Sequence, residues 1–383
     1  MKLEQLLKIL LGAAVAAMAA QAQVPANIEA KLVEMGHIVD PPCTAKLYRP
    51  LMPANDISSS ATPLYPGITV VRDQSFGPNP KDVVDIFTAD KGPASRPVLI
   101  YVAGGPGNKI ELQDKEANAF YDNIMRWATK NGMVGVNMQR HAGPGWDAGA
   151  KDISAMIQWV EANIAKYHGN PDRMIIWAHS AGNNPLGTYI GRPELWGPKG
   201  VGVKGVIFMS PAAFDIAPLQ VPPPPGGGGN PFAALSAAGK TCGVEGGAFS
   251  SSGALAGRKE GEPGGPDAPF RLPAGAGGRP GGGPPGSGGP DAATQLARSS
   301  LPELKKTSVK IVLASAELDP GVDAKGIMPF NQVLHDELCK EGPEHCPTLL
   351  AFKGESHMSE VFSIGTPDKT VSGPILAWIK KIK

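Results

Sequence analysis

The sequence predicts an α/β protein, built on a mostly parallel sheet with helices on both faces. Three observations carry this reading. The apolar runs at 97–102 (PVLIYV) and 174–177 (MIIW) lack the alternation of a half-exposed strand and read as buried parallel strands. Between such runs lie stretches of helical period, as where Ile153, Met156, Ile157, Val160 and Ile164 mark one face. The strand patterns also run directly into small residues (AGGPG at 103–107, AHSAG at 178–182), which places tight loops at their carboxyl ends.

In chain order, residues 26–36 have a helical spacing through Ile28, Leu32 and Met35 that ends at Gly36. Short strands follow at 68–72 and 83–87, separated by the turn residues FGPNP, and then the strand at 97–102. Residues 117–131 are helical in pattern through Phe120, Ile124, Trp127 and Ala128, and 133–138 is a strand. After the helix marked by Ile153 to Ile164 come strands at 174–177 and 206–209. Two further strands, at 309–314 and 348–352, and an amphipathic helix at 372–382 complete the pattern. Strands alternating with helices require crossover connections, hence a parallel sheet.

Glycine (49) and proline (39) make up nearly a quarter of the 383 residues. No Gly-X-Y period runs through the chain, and a composition 42% hydrophobic and only 19% charged does not describe a wholly disordered protein. The excess is local: the 69 residues of 222–290 hold 22 Gly and 13 Pro. Five segments result: a signal peptide at 1–22, an N-terminal extension at 23–64, the first part of the core at 65–221, a disordered insert at 222–290, and the second part of the core at 291–383.

Lys2 and Lys8, the apolar run at 9–20 and the Ala20-Gln21-Ala22 cleavage site form an export signal, predicting a periplasmic or secreted protein cut after Ala22. That run is shorter than the about 20 residues a membrane span needs. With 36 basic and 35 acidic residues the chain offers no electrostatic footprint for nucleic acid. Four cysteines in an exported chain favour disulfides. Cys339 and Cys346 close a short loop, and Cys43 with Cys242 then follows by elimination. No CxxC or HxxxH spacing occurs, so neither a metal nor a cofactor is implied.

The chemistry is concentrated at Trp177-Ala178-His179-Ser180-Ala181-Gly182, between a buried strand and a helix. A serine on such a turn is exposed at the sheet edge, and small neighbours permit the strained backbone. Ala178 stands at the first small position of the G-x-S-x-G pattern. A nucleophilic serine needs a base, and the base an orienting carboxylate. Beyond the strand at 309–314 come Glu317 and Asp319, and beyond that at 348–352 comes His357. Asp319 is preferred to Glu317 because it sits farther round its loop. His179 is read as a packing residue, and His37, His141, His168, His335 and His345 as solvated. The amides of Gly105 and Ala181 are the candidate oxyanion donors; Pro106 has no N–H to offer. A phosphate-cradle reading of the glycines finds no G-x-x-x-x-G-K-[ST] to support it.

These residues resemble the bacterial esterase/lipase branch of the α/β-hydrolase superfamily, near its hormone-sensitive-lipase-like and feruloyl-esterase-like members. The segments that carry the resemblance include PVLIYVAGGPG, MIIWAHSAG, VKIVLASAELDPG and FKGESHMSEVF. It implies an α/β-hydrolase fold and hydrolysis of small-molecule carboxylic esters, with the insert falling where such enzymes place part of a cap. Ala103-Gly104-Gly105-Pro106 replaces the family's His-Gly-Gly-Gly, which predicts a loop less firmly held. The same GGPG resembles proline-iminopeptidase-like hydrolases, so amide cleavage stands as an alternative, with Glu355 and Glu360 as the acids nearest His357. A binding protein on a hydrolase scaffold is the third reading.

Overall fold

The computed structural model describes residues 23–52, 65–105, 107–109, 120–140, 145–211, 214–222, 242 and 291–382. The predicted signal peptide lies outside the described residues, as does the predicted insert apart from Pro222 and Cys242.

Each segment read as a strand in the sequence forms one. They are β1 (Ile68–Ser75), β2 (Val83–Ala89), β3 (Arg96–Val102), β4 (Val134–Met138), β5 (Gly169–His179), β6 (Gly205–Met209), β7 (Lys310–Ala316) and β8 (Thr348–Phe352). They form one eight-stranded sheet in the order β1-β2-β4-β3-β5-β6-β7-β8. From β4 to β8 every neighbouring pair is parallel, while β2 runs antiparallel to both β1 and β4. The order reverses around β3, so the loops after β3 and β5 open on one crevice at the carboxyl edge.

Side chains alternate between the two faces with the period of an extended chain. Leu99, Tyr101, Ile175, Trp177, Ile207 and Met209 share one core with α1 (Ala26–Met35), α2 (Pro41–Tyr48), α3 (Asp122–Lys130), α9 (Ser359–Phe362) and α10 (Ser372–Ile379). Val98, Ile100, Val102, Ile176, Ala178 and Phe208 face the opposite way, against α4 (Ala148–Asn163), α5 (Asn183–Ile190), α7 (Leu301–Leu304) and α8 (Pro329–Leu338). Each large apolar side chain so buried contributes about 1.5–3 kcal/mol. Two covered faces explain why the strands read as continuous apolar runs rather than as alternating ones.

The helix predicted at 117–131 is observed from Asp122. Tyr121 adopts φ 76°, a left-handed value that prevents the helix from extending back through it. α2 was hidden by its prolines, yet Pro41 suits the first helical position and the Asp40 side chain caps the Cys43 amide at 3.2 Å. α8 had a legible signal in Phe330, Leu334 and Leu338, four residues apart and buried.

Both disulfides anticipated from the cysteine count are present, Cys339–Cys346 and Cys43–Cys242. On the two sides of the 222–290 segment the chain meets itself. The Ser300 amide donates to Asp215 O at 2.8 Å and Ser299 Oγ to Ala217 O at 2.6 Å. Beyond that segment α6 (Ala292–Arg298) leads into α7. Among the described residues no helix is long and apolar enough to cross a membrane.

Candidate active site

Ser180 stands immediately after β5, at φ 52°. That left-handed value is costly for a residue with a Cβ and is tolerated here because the turn is held from all sides. A Cβ at Gly182 would lie 2.6 Å from Val102 O and 2.8 Å from Ala103 O, so the turn can form against β3 only with glycine there. A Cβ at Gly104 would lie 2.6 Å from that of Ser180, which shows how closely the glycine loop approaches the serine. Ala178, fully buried, fits where the general pattern has glycine.

The loops after β7 and β8 bring the other two groups to this turn. Ser180 Oγ lies 2.9 Å from His357 Nε2, and His357 Nδ1 lies 2.7 Å from Asp319 Oδ1. Since a carboxylate only accepts, Nδ1 carries the proton and Nε2 is free to accept from the serine hydroxyl. Both His357 and Asp319 are buried. Glu317, the other acid considered, is turned elsewhere: its Oε2 accepts the Gly354 amide at 2.7 Å and ties the acid loop to the histidine loop.

The glycine loop is held more firmly than its lost histidine predicts. Arg140, just beyond β4, donates through Nε to Ala103 O at 3.3 Å and through a terminal nitrogen to Gly105 O at 2.5 Å. Its backbone amide reaches Gly107 O at 2.8 Å. Farther along, the Lys109 ammonium pairs with Asp73 and Asp85, and Asn137 Nδ2 donates to Lys109 O. The Gly107 amide also donates to Gly104 O at 2.9 Å, polarising the peptide group whose N–H is that of Gly105. The supports come from a neighbouring strand end, where a local motif cannot show them.

Several side chains around the site depart from their sequence reading. His37, taken as solvated, directs Nδ1 at Asp319 O, 3.1 Å away, and so braces the acid loop. His335 lies against the Cys339–Cys346 disulfide, 3.5 Å from Cys339 Sγ. His168 caps a turn at φ 66°, and His141 lies outside the described residues. Glu355 and Glu360 are fully buried behind His357 rather than lining a crevice, so neither is placed to meet a substrate amine. Burial, and then the Asp368 carboxylate, push Glu355 well above the usual carboxylate range. His179 packs as anticipated, its ring 4.7 Å from that of His357, and burial lowers its pKa well below the ordinary histidine value.

Sequence reasoning missed Ser210, whose hydroxyl donates to Asp319 Oδ2, and Arg140. Each lies within two residues of a strand's carboxyl end, the signal that could have drawn attention to them.

Sheet order, elbow and loop positions together define the α/β-hydrolase fold. Residues 84–188, from β2 into α5, match the BD-FAE family model, a stretch that holds the glycine loop and Ser180. Esterase LipQ of Mycobacterium tuberculosis is 33% identical over 115 residues, 29% of this chain and 26% of that protein. Human cocaine esterase is 30% identical over 103 residues, 25% of this chain and 18% of that one. The chain thus spans about a quarter or less of the length of the curated relatives it matches. Among solved structures, a bacterial heroin esterase superposes with TM-score 0.53 at 15% identity, covering 93% of this chain and 98% of its own. The chain has the α/β-hydrolase fold and resembles the bacterial esterase/lipase branch of that superfamily.

Proposed function

We propose that the protein is a serine hydrolase that cleaves carboxylic esters of small to medium acyl or aromatic acids. The observation that carries this reading is the unbroken hydrogen-bond chain from Ser180 Oγ through His357 to Asp319, at 2.9 and 2.7 Å. Ser180 attacks the ester carbonyl as His357 Nε2 takes its proton, and Asp319 holds the imidazole and stabilises its protonated form. The Gly105 and Ala181 amides receive the developing oxyanion. Collapse of the tetrahedral intermediate expels the alcohol, which takes the proton back from His357. A water molecule, deprotonated by the same imidazole, then releases the acid and restores the serine.

Ester rather than amide cleavage is favoured because Glu355 and Glu360 are buried behind the histidine, leaving neither to bind a free amine. The two disulfides support an exported protein, in line with the predicted signal at 1–22. Steady-state hydrolysis of p-nitrophenyl esters of graded acyl length, with wild type and Ser180→Ala in parallel, tests the assignment. Turnover confined to wild type supports it; equal turnover by a folded Ser180→Ala protein overturns it.

A further inference from the structure

Behind the imidazole of His357 lies a second, closed layer of polar groups. Glu360, on α9, is fully buried, with Oε1 3.1 Å from His179 Nε2. The same His179 nitrogen lies 3.0 Å from the backbone carbonyl of His357, and the two imidazole rings are 4.7 Å apart. A carbonyl only accepts, so His179 Nε2 carries the proton and His179 Nδ1, which has no partner, is the bare nitrogen. His179 is therefore a strut: it touches the base at ring and backbone, and Glu360 lies against the nitrogen that reaches the backbone.

We propose that Glu360 is a positioning residue for the catalytic histidine, acting through His179 on the backbone and ring of His357. The inference rests on the serine-hydrolase reading above.

The protonation state of Glu360 follows from its surroundings. Among the described residues, the titratable groups facing it are His179 at the end of β5, Asp319 on the loop after β7, and His357 and Glu355 on the loop after β8; Ser210 follows β6. No lysine or arginine is among them. Two carboxylates sharing a dry site cannot both ionise. Asp319 accepts hydrogen bonds from His357 Nδ1 and from the Ser210 hydroxyl, whereas neither oxygen of Glu360 has a hydrogen-bond partner. Glu360 holds the proton, in agreement with the push that burial and then Asp319 give its pKa, well above the usual range.

A neutral Glu360 leaves the His179 N–H with the His357 carbonyl, since neither Glu360 oxygen is hydrogen-bonded although Oε1 lies 3.1 Å from that nitrogen. An ionised one would compete for that N–H with a charge-assisted bond and set a second negative charge beside Asp319. Positioning of the base is then lost as pH rises through the Glu360 pKa, giving an alkaline limb to the activity that belongs to neither the serine nor the imidazole.

The test compares wild type, Glu360→Gln and Glu360→Ala. Glu360→Ala removes the group that backs the His179 strut and should lower kcat by about 10- to 100-fold with little change in KM, the loss typical of a misplaced catalytic group. Glu360→Gln, which cannot ionise, should keep more of kcat than the alanine variant and lose the alkaline limb. An independent readout is the wild-type-minus-Glu360→Gln infrared difference spectrum at neutral pH, which should contain the carbonyl stretch of a protonated carboxylic acid. That band decides the protonation state even if no ester is turned over, so failure of the inference and failure of the esterase reading are separable. A carboxylate band in its place overturns the proposal, as does an alkaline limb unchanged in Glu360→Gln or a kcat unchanged in Glu360→Ala.

Discussion

The guanidinium of Arg140 is hydrogen-bonded to the backbone carbonyl of Gly105, fastening the end of β4 to the loop after β3. A second bond from the same side chain reaches Ala103 O, so one cation spans the loop whose amide is the candidate oxyanion donor. The local motif lost a histidine, and an arginine from elsewhere in the sheet replaces its support.

Replacing Arg140 by alanine should therefore reduce kcat by about 10- to 100-fold while leaving KM nearly unchanged, because the loop would no longer be held where the oxyanion forms. Lysine should restore little, since a single ammonium cannot reproduce the two-point guanidinium contact. Steady-state kinetics on a p-nitrophenyl ester would check this. A kcat equal to wild type in both variants would show that the loop holds itself.

A second prediction concerns stability. Glu355 accepts from Tyr48 Oη at 3.3 Å and from the Ser359 hydroxyl, and its folded pKa lies well above the ordinary value. The folded state thus binds this proton more tightly than the unfolded state. That contribution is complete below the unfolded pKa of about 4.3 and is lost as pH rises through the folded pKa, at up to about 1.4 kcal/mol per pH unit. Glu355→Gln should abolish this slope and gain stability relative to wild type from about pH 5 upward. Urea unfolding of both proteins at a series of pH values would check it; parallel stability curves would mean that Glu355 is ionised in the fold.

The third concerns the Gly/Pro-rich segment. Asp215 and Ala217 are bonded directly to Ser300 and Ser299, so the chain on its two sides is already joined without it. Removing 222–290, with Cys43→Ser to avoid an orphan thiol, should leave a cooperatively folding protein whose Ser180 still reacts with a fluorophosphonate. Any change should fall on substrate preference. The cost should be no more than the few kcal/mol that a native disulfide supplies, about 2–5. Failure of the shortened chain to fold would assign the segment to the core.

The strands were legible because burial on both faces makes each an uninterrupted apolar run, and such runs are local. Ser180 was legible for the same reason: a strained strand-to-helix turn needs small neighbours, and Ala178, Ala181 and Gly182 adjoin it in the chain. Asp319 and His357 could be placed by chain order and position after a strand, and Asp319 was preferred to Glu317 by its place in the loop; the fold turns Glu317 onto the Gly354 amide.

Other features depended on groups far apart in sequence. Arg140 is 35 residues from Gly105, Asp319 lies 109 from Ser210 and 282 from His37, and His179 lies 178 from His357. No periodicity or motif records such pairings, because they arise only when parallel strands set their carboxyl ends side by side. The sequence by itself determined the sheet, the turn that carries Ser180 and the chain order of Asp319 and His357. Tertiary packing alone decided what supports them. It also set the pKa of Glu355 and Glu360 well above the usual carboxylate range, since burial and a neighbouring acid both disfavour the ionised form.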